Sequence, residues 1–256
     1  MKITRIFVAG EVAIEAEDVR LEERDLGGRH TRLLLALFVI ERERSLPREE
    51  LAEALWGSAL TASWEAALRG VVAQVRRLFT KAGLDSQTTL THSLGCYHVR
   101  LPGSTVVDIE LASEALETAE LALRRSDANG AWGPALAAAT VARRPFLLGE
   151  EGRWVDRQRS RLQSLLVRAL QALSESRLRR GELQLALAAA EEAAGLAPYH
   201  ESAYRQLMQA HAAAGNRAEA LLHYERCRGL LADQLGVDPS PETQSLYLAL
   251  LKGEPQ

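Results

Sequence analysis

Cysteine is nearly missing from this chain. Cys96 and Cys227 are the only two in 256 residues, and neither has a second thiol nearby in sequence. That excludes a disulfide framework and a cysteine-based zinc site, and it fits a reducing cytoplasm. Long apolar runs are also missing: nothing approaches the roughly 18 unbroken apolar residues of a membrane span. The opening "MKITRIFVAGEVAIEAEDV" alternates apolar and polar residues and has no signal-peptide core, so a cytoplasmic protein that does not enter membranes is expected. Catalytic signatures are lacking as well. There is no GxxxxGK[ST], no GxGxxG after a strand, no HExxH and no GxSxG. No enzyme, no cofactor and no metal is therefore expected.

The six histidines are spread too widely for a ligand set. His92 and His98 fall in one short stretch, His200, His211 and His223 in the second half, and His30 stands alone. His211 and His223 are spaced to face each other across a helical pair, which reads as packed or surface imidazoles rather than metal ligands. Glu49-Glu50 and Glu191-Glu192 read as solvated helix faces rather than paired acids. An excess of positive charge is absent too, since the net charge is −3. Residues 1–101 hold 14 basic and 14 acidic side chains, and the remainder holds 17 against 20. Any charge that attracts nucleic acid has to be local.

Two textures follow one another along the chain. In the first, "ITRIFVAGEVAIEAE" turns at Gly10 and continues into "VRLEER", the pattern of a small antiparallel sheet. An apolar helix, "RHTRLLLALFVIERE", comes next. "SLPREELAEALWG" then places Ser45 and Pro47 ahead of a short helix that stops at Gly57. A third helix, 62–82, has Thr61 or Ser63 as N-cap, and "TTLTHSLGCYHVRL" reads as a hairpin around Leu94-Gly95. Sheet, three helices and hairpin make the chain order of a winged helix with a leading sheet, the hairpin 88–101 being the wing.

From about Asp108 the chain turns alanine-, leucine- and arginine-rich with helical periodicity. "GELQLALAAAEEA" at Gly181 and "GNRAEALLHYERC" at Gly215 lie 34 residues apart, and "GAWGPALAAATVA" at Gly130 shares their core. That is tetratricopeptide spacing, with Pro198 ending one unit. Ala186, Ala190 and Ala220 would let the helices of a pair approach closely. Three helical pairs are expected, the first irregular because "RRPFLLGEEGRWV" is inserted. The arginine-dense "RWVDRQRSRLQSLLVR" reads as a packed helix, its stripe Trp154, Leu162, Leu165 and Leu166 turned inward. The fold class is thus an α+β N-terminal winged helix followed by an all-α tetratricopeptide-like domain, divided as 1–105 and 106–256.

The third helix raises the sharpest question. Leu68, Val71, Val72, Val75, Leu78 and Phe79 share one face, while the opposite face carries Ala66, Gly70 and Ala73, then Arg77. Arg76, Arg77 and Lys81 sit at its C-terminal end, where the helix dipole favours cations without any ligand. Arg69 further back and Arg100 at the end of the hairpin extend them into a basic rim suited to phosphate.

The segments "LLLALFVIERERSLPREELAEALWG", "ASWEAAL", "SLGCYHVRLP" and "GNRAEALLHYERCRGLLADQLGVDPSPETQSLY" resemble the SARP-type transcriptional regulators. The resemblance runs from Ile6 to Leu251 and is most specific at "QLGVDPSPE", Gln234 to Glu242. It implies a winged-helix DNA-binding domain of the response-regulator type joined to a bacterial transcriptional activation domain. It also implies sequence-specific binding to promoter repeats in double-stranded DNA, often by two or more copies, with a homodimer among the assemblies. Activation through contact with RNA polymerase follows from the same resemblance.

The DNA-binding residues expected on these grounds are Arg69, Gln74, Arg76, Arg77, Lys81 and Arg100. One departure stands out. The family's third helix opens like "ARNTLQTYVSRLRRAL"; here its first arginine position is Glu65, its asparagine Ala66, its glutamine Arg69, its serine Ala73 and its next arginine Gln74. Arg76 and Arg77 match. A carboxylate at Glu65 repels phosphate unless it accepts from a cytosine amine. The small face either lies against the major-groove floor with arginines gripping phosphates, or packs on protein. In the second case the chain is an adaptor or sensor whose winged helix binds DNA weakly or not at all.

Overall fold

The computed structural model describes residues 3–17, 19–57 and 62–253. Thr61, one of the two expected N-caps, lies outside them. The chain divides into two compact units: the chain up to Leu111 with Arg144–Arg161, and Ala112–Arg143 with the chain from Leu162 onward.

In the first unit, β1 (Thr4–Phe7), β2 (Ala13–Ala16) and β3 (Val19–Leu21) form the antiparallel meander that the alternation predicts. Ile6 stands opposite Ile14, both fully buried. α1 (Arg29–Ile40) is buried from Leu33 to Val39 without a break, so it forms the centre of the unit rather than one of its faces. β4 (Leu46–Pro47) leads into α2 (Arg48–Trp56), and α3 (Trp64–Lys81) follows. A short α4 (Ser86–Thr89) introduces the hairpin of β5 (Leu90–Ser93) and β6 (Cys96–Val99). Leu94 and Gly95 both take positive φ, 49° and 78°, the two-residue turn whose twist suits a hairpin. β4 adds to this hairpin through Leu46 opposite Tyr97, giving the order β4-β6-β5.

Two features escaped the sequence reading. β7 (Thr105–Val107) pairs in parallel with β1, which makes the leading sheet four-stranded in the order β3-β2-β1-β7. The inserted "RRPFLLGEEGRWV" belongs to the first unit. Gly10 donates to the Pro145 carbonyl at 2.8 Å, and the Trp154 indole N–H donates to Glu41 at 2.8 Å. The fully buried Glu150 carboxylate accepts from Arg29 at 2.6 Å and Arg32 at 2.7 Å. The compact units therefore do not coincide with a division at 105/106, which would cut β7 and remove residues 144–161 from their contacts. Buried Asp108 ties the sheet end down by accepting from the backbone of Val8, Ala9 and Ile109.

The second unit is all helical: α5 (Asp108–Arg124), α6 (Ala128–Ala142), α7 (Arg153–Arg179), α8 (Leu183–Leu196), α9 (Glu201–Ala213), α10 (Arg217–Leu235) and α11 (Pro241–Lys252), with the first residues of α5 and α7 in the first unit. The starts of α8 and α10 are 34 residues apart, matching the sequence period. A continuous core runs through α5 to α9, built largely of alanines such as Ala131, Ala138, Ala190 and Ala203. Ala186, Ala190 and Ala220 are fully buried, where small side chains permit close helix approach. α11 covers the last pair through Leu246 and Leu250, and Tyr224 stacks on Tyr247 with ring centroids 3.9 Å apart. Each repeat buries its face against the next, the logic of a solenoid.

Glu150→Ala leaves Arg32, which is mostly buried, with Glu23 as its remaining carboxylate and the Leu148 carbonyl as its other acceptor. Removing one partner of a buried ion pair costs about 3 kcal/mol. Urea unfolding of the full chain should show that loss, and Glu150→Gln a smaller one.

His211 and His223 do meet across α9 and α10, stacked with centroids 4.9 Å apart. Burial pushes the His223 imidazole below its ordinary value, His211 and Arg226 push the same way, and Glu219 and Glu191 oppose them. The unfolded chain therefore takes up this proton more readily than the folded one. The contribution is present at neutral pH and is lost as pH falls through the unfolded value of about 6.5. Urea midpoints of wild type should drop between about pH 7.5 and about pH 5.5 by more than those of His223→Phe, which cannot protonate.

Candidate nucleic-acid interface

α3 is amphipathic in an unusual way. Leu68, Val72, Val75, Leu78 and Phe79 are all buried at 3% exposure or less. The opposite face carries Ala66, Gly70, Ala73 and Arg77, and all four are exposed. A Cβ built on Gly70 meets nothing within 4 Å. Within each unit, then, the small face presses on nothing. It is a smooth open strip that ends at Arg77.

The expected site residues separate into two groups around this strip. Arg69, Arg77, Lys81 and Arg100 are exposed. Arg77, Lys81 and Arg100 make no ion pair among the described residues, and Arg69 has only Glu65, one turn back at 3.8 Å. Arg76 is committed elsewhere: its guanidinium donates twice to the Leu90 carbonyl, at 3.3 and 3.0 Å, and so ties the hairpin to α3. Gln74 sits on the far flank, its side-chain carbonyl accepting from the buried Thr31 hydroxyl at 2.5 Å. That carbonyl lies 3.1 Å from a Cβ built on Gly27, so glycine there leaves it room. Ser63 stands at the N-cap of α3, and its carbonyl accepts from the backbone of Ala66 and Ala67.

Sequence reasoning missed Arg48. It opens α2, and its backbone N–H donates to the Gly95 carbonyl at 3.2 Å. Its guanidinium lies 3.7 Å from Glu65. Arg48, Arg69 and Arg76 line one pocket of about 220 Å³ with Glu65, Leu68, His92 and Tyr97. Three guanidiniums against one carboxylate leave the pocket positive although the first 101 residues are neutral overall. Tyr97 forms its inner wall. Burial pushes the Tyr97 hydroxyl above its ordinary value, and the three nearby arginines partly offset this. The His92 ring lies 4.7 Å from that of Tyr97. Arg48 reaches this place because Leu46 and Pro47 pair with β6, a contact between residues about 50 apart that no local signal announces.

Among the described residues, no group of three or more His, Cys, Asp or Glu side chains is placed to hold a metal, and no helix is long and apolar enough to cross a membrane.

A winged helix presenting a basic rim, followed by a tetratricopeptide-like helical array, is the class of protein these features define. The model of the bacterial transcriptional activator domain family matches residues 107–251. The chain belongs to that family. It is 29% identical over 229 residues to the regulatory protein AfsR of Streptomyces coelicolor, covering 90% of this chain and 22% of AfsR. With the transcriptional regulatory protein MoaR1 of Mycobacterium tuberculosis it shares 26% over 237 residues, covering 90% of this chain and 74% of MoaR1. The chain thus spans about a fifth of AfsR. The solved structure of Mycobacterium tuberculosis EmbR aligns over all of this chain and 67% of its own, with a TM-score of 0.86 and 24% identity, a likeness of fold.

The contrast between neighbouring arginines is testable by stability alone. Arg76→Ala should cost about 1.5–2 kcal/mol, because it removes charged hydrogen bonds to the hairpin. Arg77→Ala, which removes an exposed side chain with no hydrogen bond or ion pair among the described residues, should stay within about 0.5 kcal/mol. Chemical denaturation of both variants reads the difference.

Proposed function

We propose that this protein is a transcriptional regulator of the SARP type, an activator that binds promoter repeats in double-stranded DNA and recruits RNA polymerase. In this reading α3 docks in the major groove and the hairpin lies on the sugar-phosphate backbone. The first unit, which adds residues 144–161 to the expected 1–105, carries the DNA-binding role, and the helical remainder of 106–256 the activating and self-associating one, so that two copies act as a dimer on repeated sites in the cytoplasm. The observation that carries the reading is the exposed strip of Ala66, Gly70 and Ala73 with free cations beside it. A face without bulk lets the helix backbone approach a groove floor closely. Arg69, Arg77, Lys81 and Arg100 then reach phosphates on either side, since such contacts position a protein on the duplex. Arg76 and Gln74 act in this reading as positioning residues, one holding the hairpin and the other the start of α1.

A second reading, an adaptor with a silent winged helix, draws support from the neutral charge of residues 1–101 and from Glu65. One experiment weighs both. Arg69→Ala and Arg77→Ala should each weaken binding to a promoter fragment and lower the salt slope by about one. Fluorescence anisotropy over a salt series measures this. Equal, salt-insensitive behaviour of wild type and both variants would favour the adaptor.

A further inference from the structure

Glu65 is the one carboxylate in the arginine pocket, and two arginines flank it. The buried and half-buried carboxylates that brace the first unit close on their arginines with short hydrogen bonds, as Arg44 does with Glu50 at 2.5 and 2.8 Å and Arg32 with Glu150 at 2.7 Å, whereas exposed Glu43 and Glu49 stand 3.7 Å off. Glu65 instead stands 3.7 Å from Arg48 and 3.8 Å from Arg69, between the two and hydrogen-bonded to neither. Arg48 has a second carboxylate, Glu49, no nearer at 3.7 Å, and its Nε is shielded from water with no hydrogen-bond partner among the described residues. An arginine presents five donors in a fixed fork that matches phosphate oxygens. Here that fork lines the pocket, with its carboxylate neighbours beyond hydrogen-bond distance.

We propose that Glu65 occupies the seat of a DNA backbone phosphate between Arg48 and Arg69, and that docking on a duplex exchanges this carboxylate for phosphate. The inference rests on the DNA-binding reading above and deepens it by assigning Arg48 to the phosphate contacts and Glu65 to setting their strength. In the free protein the carboxylate holds the two guanidiniums side by side, facing the pocket. Its distances are too long for closed hydrogen bonds, so the pair gives way to a ligand of better geometry and greater charge, the charge-assisted bidentate contact that arginine makes with phosphate. Both helix starts add to the preference for an anion here, since Arg48 opens α2 and Glu65 lies in the first turn of α3. The exchange has a measurable signature. Cations released from the duplex by the two arginines are partly taken up by the freed carboxylate, so wild-type binding depends on salt less than its arginines alone would dictate.

The test compares wild type, Glu65→Gln, Arg48→Ala/Arg69→Ala and the triple variant on a short random-sequence duplex and on a promoter fragment, by fluorescence anisotropy across a salt series. Glu65→Gln should bind the random duplex about fivefold more tightly, with a salt slope steeper by about one. In the background lacking both arginines, Glu65→Gln should bring no gain. A gain that persists there is a general charge effect and overturns the proposal. So does unchanged binding to the random duplex, or a loss of promoter preference alone, which would make Glu65 a reader of bases. Wild type that binds neither duplex in a salt-dependent way overturns the DNA-binding reading itself, and this proposal with it. Melting of each variant checks the fold, and Arg69→Ala alone replaces the double variant if Arg48→Ala lowers the melting temperature.

Discussion

The apolar stripe of α3 governs the first unit. Leu68, Val72, Val75, Leu78 and Phe79 are each worth about 1.5–3 kcal/mol when taken out of water, and together they leave the helix a single orientation. Once that face is buried, the positions of Ala66, Gly70, Ala73 and Arg77 follow from the helical period alone. The open strip is thus a consequence of packing on the opposite side. The same rotation puts Arg69 and Arg76 toward the hairpin and Gln74 toward α1, which is why three polar residues close in sequence have three different employments.

Charge in this protein works locally. The first 101 residues are balanced, yet acidic side chains among them are held by partners away from α3, Glu23 by Arg32 and Glu41 and Glu50 by Arg44. What is left over at α3 and the hairpin is positive. A neutral sum is compatible with a basic rim because paired charges contribute little field at a distance, and screening confines the rest to about 10 Å at moderate salt. Glu65 is the exception that sits inside the rim, loosely held.

The helical unit uses a different device. Its core is alanine-rich, so stability comes from close approach over a long surface rather than from large side chains, and each pair depends on the next. The match of residues 107–251 to the bacterial transcriptional activator domain family coincides with this array. The exposed strip and the arginine pocket lie outside that match.

Much of this was legible from the residues alone. Alternation around Gly10, the apolar run of α1, the Leu94-Gly95 turn and the 34-residue spacing each encode an element locally, since backbone preference and hydrophobic period are properties of neighbours in sequence. The family was readable for the same reason, through contiguous motifs such as "QLGVDPSPE". Tertiary structure alone decided the rest. β7 beside β1, residues 144–161 with their buried Glu150, and Arg48 facing Glu65 all join residues far apart in the chain. Whether an arginine is free or committed is settled by such partners. Arg76 and Arg77 are adjacent and chemically identical, and only the Leu90 carbonyl, brought near one of them by the hairpin, tells them apart.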